Sequence, residues 1–110
     1  RQAAGALAGA LNAIVVLKGA GTVVADAERL WVCDRGSAAL ATAGTGDVLA
    51  GIIGALVATM PPELPVFEAV TLAVWIHAVA GERWAERRGP SGMLAAELAA
   101  EVPAIMSALR

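Results

Sequence analysis

Charge is scarce in this chain. Lys and Arg number 8 and Asp and Glu 10 in 110 residues, which leaves a net charge of −2 and a pI near 5.2. With no basic stripe, nothing here could neutralise a phosphodiester backbone, so nucleic acid is excluded as a partner. Cysteine is nearly absent as well. The single Cys33 rules out an intrachain disulfide and any CxxC metal knuckle, and its apolar neighbours mark it as an inert core thiol rather than a nucleophile. A reducing, cytoplasmic setting is the expectation. Long apolar runs are missing too. A bilayer-spanning helix takes about 20 predominantly apolar residues, whereas Val48 to Met60 is shorter and follows Asp47, and Val66 to Ala80 contains Glu68 and His77. Both read as buried helices of a globular protein, and no membrane association is expected. No signal peptide pattern, internal repeat or low-complexity tail is visible.

What is abundant is apolar side chain: 58% of residues are hydrophobic and the mean hydropathy is +0.69, above the half or so of an ordinary domain. Such a chain is expected to have its apolar faces covered by another part of the same fold or by other subunits, so a homo-oligomer is expected. Its length suits one domain or part of one. The chain opens at Arg1, without methionine, inside what reads as an Ala/Leu-rich helix, and an upstream portion of the fold is expected to lie outside it.

Gln2 to Leu11 predicts a helix, and the β-branched run Ala13 to Leu17 a buried strand. Thr22 to Ala25 and Leu30 to Cys33 predict two more strands, with Asp26 to Arg29 between them as a hairpin connection. After a loop from Asp34 to Ala43 the pattern turns helical. One helix spans Gly46 to Met60 and is closed by Pro61 and Pro62. A second starts at Pro65 and runs to about Arg88, with Gly89-Pro90 as its stop. A third spans Leu94 to Leu109, bent or restarted near Pro103. Strands leading into helices with continuous apolar runs indicate an α/β fold with a largely buried sheet. Gly5 and Gly9 have the spacing of a small-residue helix contact, which close packing between soluble helices explains.

Two glycine-bearing segments carry the chemistry: Lys18-Gly19-Ala20-Gly21-Thr22, after a strand, and Ala43-Gly44-Thr45-Gly46-Asp47, opening a helix. The first-turn N–H groups from Thr45 to Val48, backed by the helix dipole, are expected to face outward and form a phosphate site. Asp47 is then out of place unless it accepts a proton or sits near a metal. On spacing alone there are two readings of equal standing: that site, or an ordinary cap with an acidic residue welcome in a first turn.

The run from Val15 through Lys18-Gly19-Ala20-Gly21-Thr22 to Asp26, taken with Leu40-Ala41-Thr42-Ala43-Gly44-Thr45-Gly46-Asp47 to Gly54, resembles the ADP/ATP-dependent NAD(P)H-hydrate dehydratases. That family is a branch of the ribokinase-like superfamily. The likeness continues through Val74-Trp75-Ile76-His77-Ala78-Val79-Ala80-Gly81 and Met93-Leu94-Ala95-Ala96-Glu97-Leu98. It implies that residues 1–110 are the C-terminal part of a three-layer α/β/α domain, with short strands followed by three helices. It further implies that Lys18, Gly19, Ala20, Gly21, Thr22 and Gly46 bind the adenine nucleotide. Gly44, Thr45 and Gly46 form the anion hole, and Asp47 contacts the hydrated nicotinamide as catalytic base. The implied reaction regenerates NADH or NADPH from the S-epimer of its hydrate with ADP or ATP as co-substrate and Mg2+. No residue is assigned as a metal ligand. Arg35-Gly36-Ser37-Ala38-Ala39 departs from the glycine-asparagine pair common in the family, because serine donates a single hydrogen bond where asparagine makes two contacts.

Other features are read as structural. His77 predicts a packed histidine with one satisfied nitrogen. Trp31, Trp75 and Trp84 predict core or subunit contacts, and Glu82, Arg83, Glu86, Arg87 and Arg88 a solvated face. Two rival functions stand beside the dehydratase: a small-molecule kinase of the same superfamily, which would stop at the phosphorylated product, and a non-catalytic nucleotide-binding or oligomerisation piece.

Overall fold

A computed structural model describes residues 2–11, 13–19, 21–41 and 44–109. The Ala/Leu-rich start forms helix α1 (Gln2–Leu11), as propensity favours. Ala4 and Ala8, one turn apart and so on one face, are fully buried against Val23 and Ala25. Gly5 and Gly9, by contrast, have open space where a Cβ would stand. Their spacing therefore serves no close helix contact among the described residues; the two alanines carry the packing.

Three short strands follow: β1 (Val15–Leu17), β2 (Val23–Ala25) and β3 (Leu30–Val32). They form an antiparallel meander in the order β1-β2-β3, with Leu17 opposite Val23 and Ala25 opposite Leu30. The expected β2–β3 hairpin turns on Asp26, whose carboxylate accepts from the N–H groups of Glu28 (2.9 Å) and Arg29 (2.6 Å). The Lys18–Thr22 segment, expected as a ligand loop after a strand, is a second hairpin connection joining β1 to β2. A link this short allows only antiparallel neighbours, since a parallel crossover takes a dozen or more residues. The sheet is also less covered than expected. β2 is buried throughout, but Leu17 and Leu30 on the flanking strands are 40% and 46% exposed.

A 3-10 turn (Ala38–Ala41) leads to α2 (Thr45–Thr59), then α3 (Val66–Arg88) and α4 (Ala95–Ala108). Glycine ends α3: Gly89 takes φ +93°, and its N–H donates to the Ala85 carbonyl at 2.8 Å. α4 begins where Glu97 accepts from the Leu94 N–H at 2.9 Å, a bond that holds the Glu97 carboxyl below its usual range. The helix runs on through Pro103 rather than restarting there. The proline removes the bond to the Ala99 carbonyl, and both residues are exposed, so water can serve that oxygen.

Alternation along β2 sets the layers. Val23 and Ala25 face α1, while Val24 faces the opposite way, with Cys33, onto Leu49 of α2 and Phe67, Val70, Val74 and Ala78 of α3. α3 packs in turn on α2 and α4 through Ile52, Leu56, Ile76, Trp84, Leu98 and Ile105. This is the expected α/β/α arrangement, with Trp84 in its core and Trp31 and Trp75 half-buried. The charged run at the end of α3 is solvated as expected at Glu86, Arg87 and Arg88, and it is paired as well. Arg87 pairs with Glu101 and Arg88 with Glu97 (3.6 Å), tying α3 to α4, and Glu82 turns to a loop described below.

One contact in this packing gives a sharp test. A Cβ on Gly81 would come within 2.7 Å of Leu40 Cγ and Cδ2, so the 3-10 turn lies directly on that glycine. Gly81→Ala is expected to cost about 1–3 kcal/mol through overpacking, read as a lowered urea midpoint. An unchanged midpoint would show that Leu40 repacks freely.

Candidate active site

The two glycine-bearing segments meet in space. The Lys18 ammonium lies where a Cβ of Gly46 would stand, against the first turn of α2. Only glycine leaves that room. The side chain thus brings a full positive charge to the positive end of a helix dipole, an arrangement that favours an anion between or beside them. Among the described residues Lys18 has no carboxylate partner.

Beside this point opens a cavity of about 680 Å3. Lys18, Gly19, Gly21 and Thr22 of the β1–β2 connection form one side, and residues 33–38 with Leu40 and Ala41 another. Thr45 and Leu49 of α2 and Val74, His77 and Ala78 of α3 complete the lining. Gly21 holds φ +81° with Val32 and the Cys33 carbonyl close by, so a side chain there would strain the turn. Its lining combines the Lys18 cation and polar groups such as Thr22, Arg35 and Ser37 with apolar Leu49, Val74 and Ala78, a combination suited to a ligand with an anionic end and an apolar body.

Of the expected nucleotide-binding residues, Lys18, Gly19, Gly21 and Thr22 line this cavity and Gly46 receives the lysine; Ala20 lies outside the described residues. Of the anion-hole residues, Thr45 lines the cavity, while Gly44 caps the helix at φ +90° with no side-chain cap bond. The outward row of amides is shorter than expected. Asp47 N–H and Val48 N–H both point to the Gly44 carbonyl, at 3.2 and 3.3 Å, because the N-cap carbonyl accepts the first helical bonds. Asp47 does not line the cavity. It follows Thr45 by two residues, about 200° around the helix, so its exposed carboxylate stands on the other side of the helix tip. Among the described residues its side chain makes no hydrogen bond or ion pair, and as an acidic residue in the first turn behind a Gly44 N-cap it also fits the alternative of an ordinary cap.

His77 is buried as expected, and its Nε2–H donates to the Thr45 carbonyl at 2.9 Å, while the Thr45 hydroxyl donates to the Leu40 carbonyl at 2.8 Å. These two bonds tie the head of α2 to the 3-10 turn and to α3. Burial above all, and then the Lys18 charge, push the His77 pKa below its usual value. The folded protein therefore binds this proton less readily than the unfolded chain does. Stability is full above the unfolded value, about 6.5, and declines as pH falls through that value toward the lower folded one. A urea midpoint that falls from pH 7.5 to pH 5.5 in the native protein, but stays flatter in His77→Gln, is the expected result; equal slopes would assign the loss to other groups.

Cys33 is buried, with its thiol pushed up chiefly by desolvation, as an inert core thiol should be. Two site residues escape the sequence reading: Arg35, on the cavity rim, and Glu82, which holds it with bonds of 2.6–3.1 Å. The signal was present, since Val74, His77, Ala78, Gly81 and Glu82 have the one-face helical spacing. Among the described residues no three His, Cys, Asp or Glu side chains cluster to hold a metal ion, and no helix is long and apolar enough to cross a membrane.

The chain is similar in sequence and fold to several known proteins. A bifunctional NAD(P)H-hydrate repair enzyme of Thermanaerovibrio acidaminovorans is 47% identical over 109 residues, 99% of this chain and 20% of that protein. An ADP-dependent (S)-NAD(P)H-hydrate dehydratase of Neisseria meningitidis is 47% identical over 90 residues, 80% of this chain and 29% of that protein. The crystal structure of the ADP/ATP-dependent NAD(P)H-hydrate dehydratase of Bacillus subtilis, co-crystallised with ATP and Mg2+, superposes with a TM-score of 0.90 at 31% identity. That superposition covers 99% of this chain and 39% of the other. The chain thus spans between a fifth and two fifths of the length of these relatives. A family profile described as NAD(P)H-hydrate dehydratase matches residues 1–104, and the chain belongs to that family.

Proposed function

We propose that this chain is the C-terminal portion of a domain that uses ADP or ATP to dehydrate the S-epimer of hydrated NADH or NADPH, returning the reduced nicotinamide. The observation that carries this reading is the meeting of Lys18 with the first turn of α2 between a nucleotide-sized cavity and an unpartnered carboxylate, Asp47. The nucleotide occupies the cavity with its phosphates at Lys18 and Gly46. Hydroxide is a poor leaving group, and phosphorylation solves that difficulty. The hydrate's hydroxyl oxygen attacks the terminal phosphorus as the phosphoanhydride bond breaks. Asp47 takes the hydroxyl proton, and the amides near Gly44 to Gly46 with Lys18 stabilise the transferring charge. The C–O bond then breaks, phosphate leaves, and loss of a proton from the adjacent carbon restores the ring double bond. Among the described residues no carboxylate cluster offers a metal cage, so Mg2+ would be held chiefly by the nucleotide phosphates and water, where it would neutralise charge. A cytoplasmic setting and a homo-oligomer belong to the same reading, supported by the free buried thiol and by the exposed Leu7, Leu11, Leu17 and Leu30.

The test follows near-ultraviolet absorbance of reduced nicotinamide while the full-length protein is incubated with hydrated NADH, Mg2+ and ADP or ATP. Recovery only with nucleotide is expected. Nucleotide consumption with accumulation of a phosphorylated product would establish a kinase instead, and nucleotide binding without turnover would leave a binding module.

A further inference from the structure

Glu82 lies outside both glycine-bearing segments, yet it holds one wall of the cavity. Its carboxylate accepts from Arg35 Nε (2.9 and 3.1 Å), from an Arg35 terminal nitrogen (2.6 Å) and from the Gly36 N–H (2.6 Å). The Arg35 guanidinium and the Gly36 amide keep its pKa below the usual carboxylate range. Gly36 sits at φ +136°, a Cβ added there would touch Leu40 and Ala78 at 3.5 and 3.9 Å, and Leu40 lies on Gly81. One face of α3, Ala78, Gly81 and Glu82, thus fixes the segment from Arg35 to Leu40 that lines the same cavity as Lys18. The Glu82 side chain is 23% exposed and that of Arg35 is 43% exposed. The pair is therefore a poor source of global stability, and its consequence is local.

We infer that Glu82 is a positioning residue for the nucleotide: through Arg35 and the Gly36 N–H it sets the wall that the nucleotide packs against, without touching the reacting atoms. This rests on the dehydratase reading above. A wall held open to the right width lowers the cost of ordering the loop when the nucleotide arrives. The effect therefore belongs to nucleotide KM, whereas kcat and the KM for hydrated NADH depend on the α2 tip and Asp47.

The experiment measures both KM values and kcat in the full-length protein for Glu82→Ala, Glu82→Gln and Arg35→Ala. Glu82→Ala is expected to raise nucleotide KM about 5- to 20-fold with kcat within about 2-fold and an unfolding midpoint close to native. Glu82→Gln keeps an oxygen for Gly36 and should lie between native and alanine. Arg35→Ala should raise KM less than Glu82→Ala, and the double variant no more than Glu82→Ala alone, because the two side chains act through one bond set. An unchanged nucleotide KM in Glu82→Ala, or a parallel fall of kcat in all three variants, overturns the inference. If Glu82→Ala fails to fold, the exposed Arg35→Ala decides by the same criterion. Absence of nucleotide-dependent turnover in the native protein would instead sink the dehydratase reading and leave the wall to be tested by nucleotide Kd.

Discussion

Asp47→Asn is expected to lower kcat by about 10²- to 10⁴-fold, the range over which a positioned general base contributes, while nucleotide affinity stays within a few-fold of native. Position is the reason. The Asp47 carboxylate is exposed in the first turn of α2 and caps nothing, so the isosteric amide removes no stabilising hydrogen bond from the described structure. Asp47 lies outside the lining of the cavity that holds the nucleotide in the proposed reaction, whereas Thr45, two residues earlier, is part of it. The loss should therefore fall on the chemical step. Steady-state rates and nucleotide Kd, measured on the same preparation, check both halves. Native kcat in the Asp47→Asn variant would remove Asp47 from the chemistry and return it to the role of a favourable first-turn acid.

Much of the architecture is legible in the sequence because the chain punctuates itself. Pro61 and Pro62 close α2, Pro65 opens α3 and Gly89 ends it, and the observed bounds fall within a residue or so of those signals. The α1 limits follow from the Ala/Leu composition alone. The sheet is harder to read. Strands of three residues are too short to display alternation, so exposure of Leu17 and Leu30 leaves no periodic trace. The Lys18–Thr22 segment also does two jobs at once, and glycines that read as ligand contacts hide the hairpin they also make. At the site, the glycine pattern singles out the Lys18–Thr22 segment and the family resemblance assigns it to the nucleotide; Lys18, Gly19, Gly21 and Thr22 line the cavity. Local spacing does not find the Arg35–Glu82 pair, whose members are 47 positions apart. A run of mixed charge on a helix is scored by neighbours three and four residues away, a rule that has no access to a loop on the far side of the sequence. The anion hole is overdrawn for a related reason: spacing counts four unsatisfied amides in a first turn, but Gly44, as N-cap, offers a carbonyl that Asp47 and Val48 both reach.

Gly46→Ala separates binding from stability more cleanly than any substitution at a charged residue. Gly46 does not adopt a positive φ, so alanine strains no backbone, and in a helix it should add about 0.5–1 kcal/mol of stability. Yet the new methyl would occupy the place of the Lys18 ammonium, with Lys18 Cε also only 3.5 Å away. A lysine side chain is flexible and can swing aside, so folding is spared. What is lost is the cation beside the helix tip. A hydrogen bond to a charged group is worth about 1.5–3 kcal/mol, so nucleotide KM should rise about 10- to 100-fold. Lys18→Met should give a rise of the same size, and the double variant little more, since both changes empty the same point of charge. Gly51→Ala and Gly54→Ala, on the same helix with open space at their Cβ positions, are the controls: they should raise stability alike and leave KM alone. If Gly46→Ala raises the unfolding midpoint and leaves nucleotide KM native, the lysine's place against α2 has no part in holding phosphate.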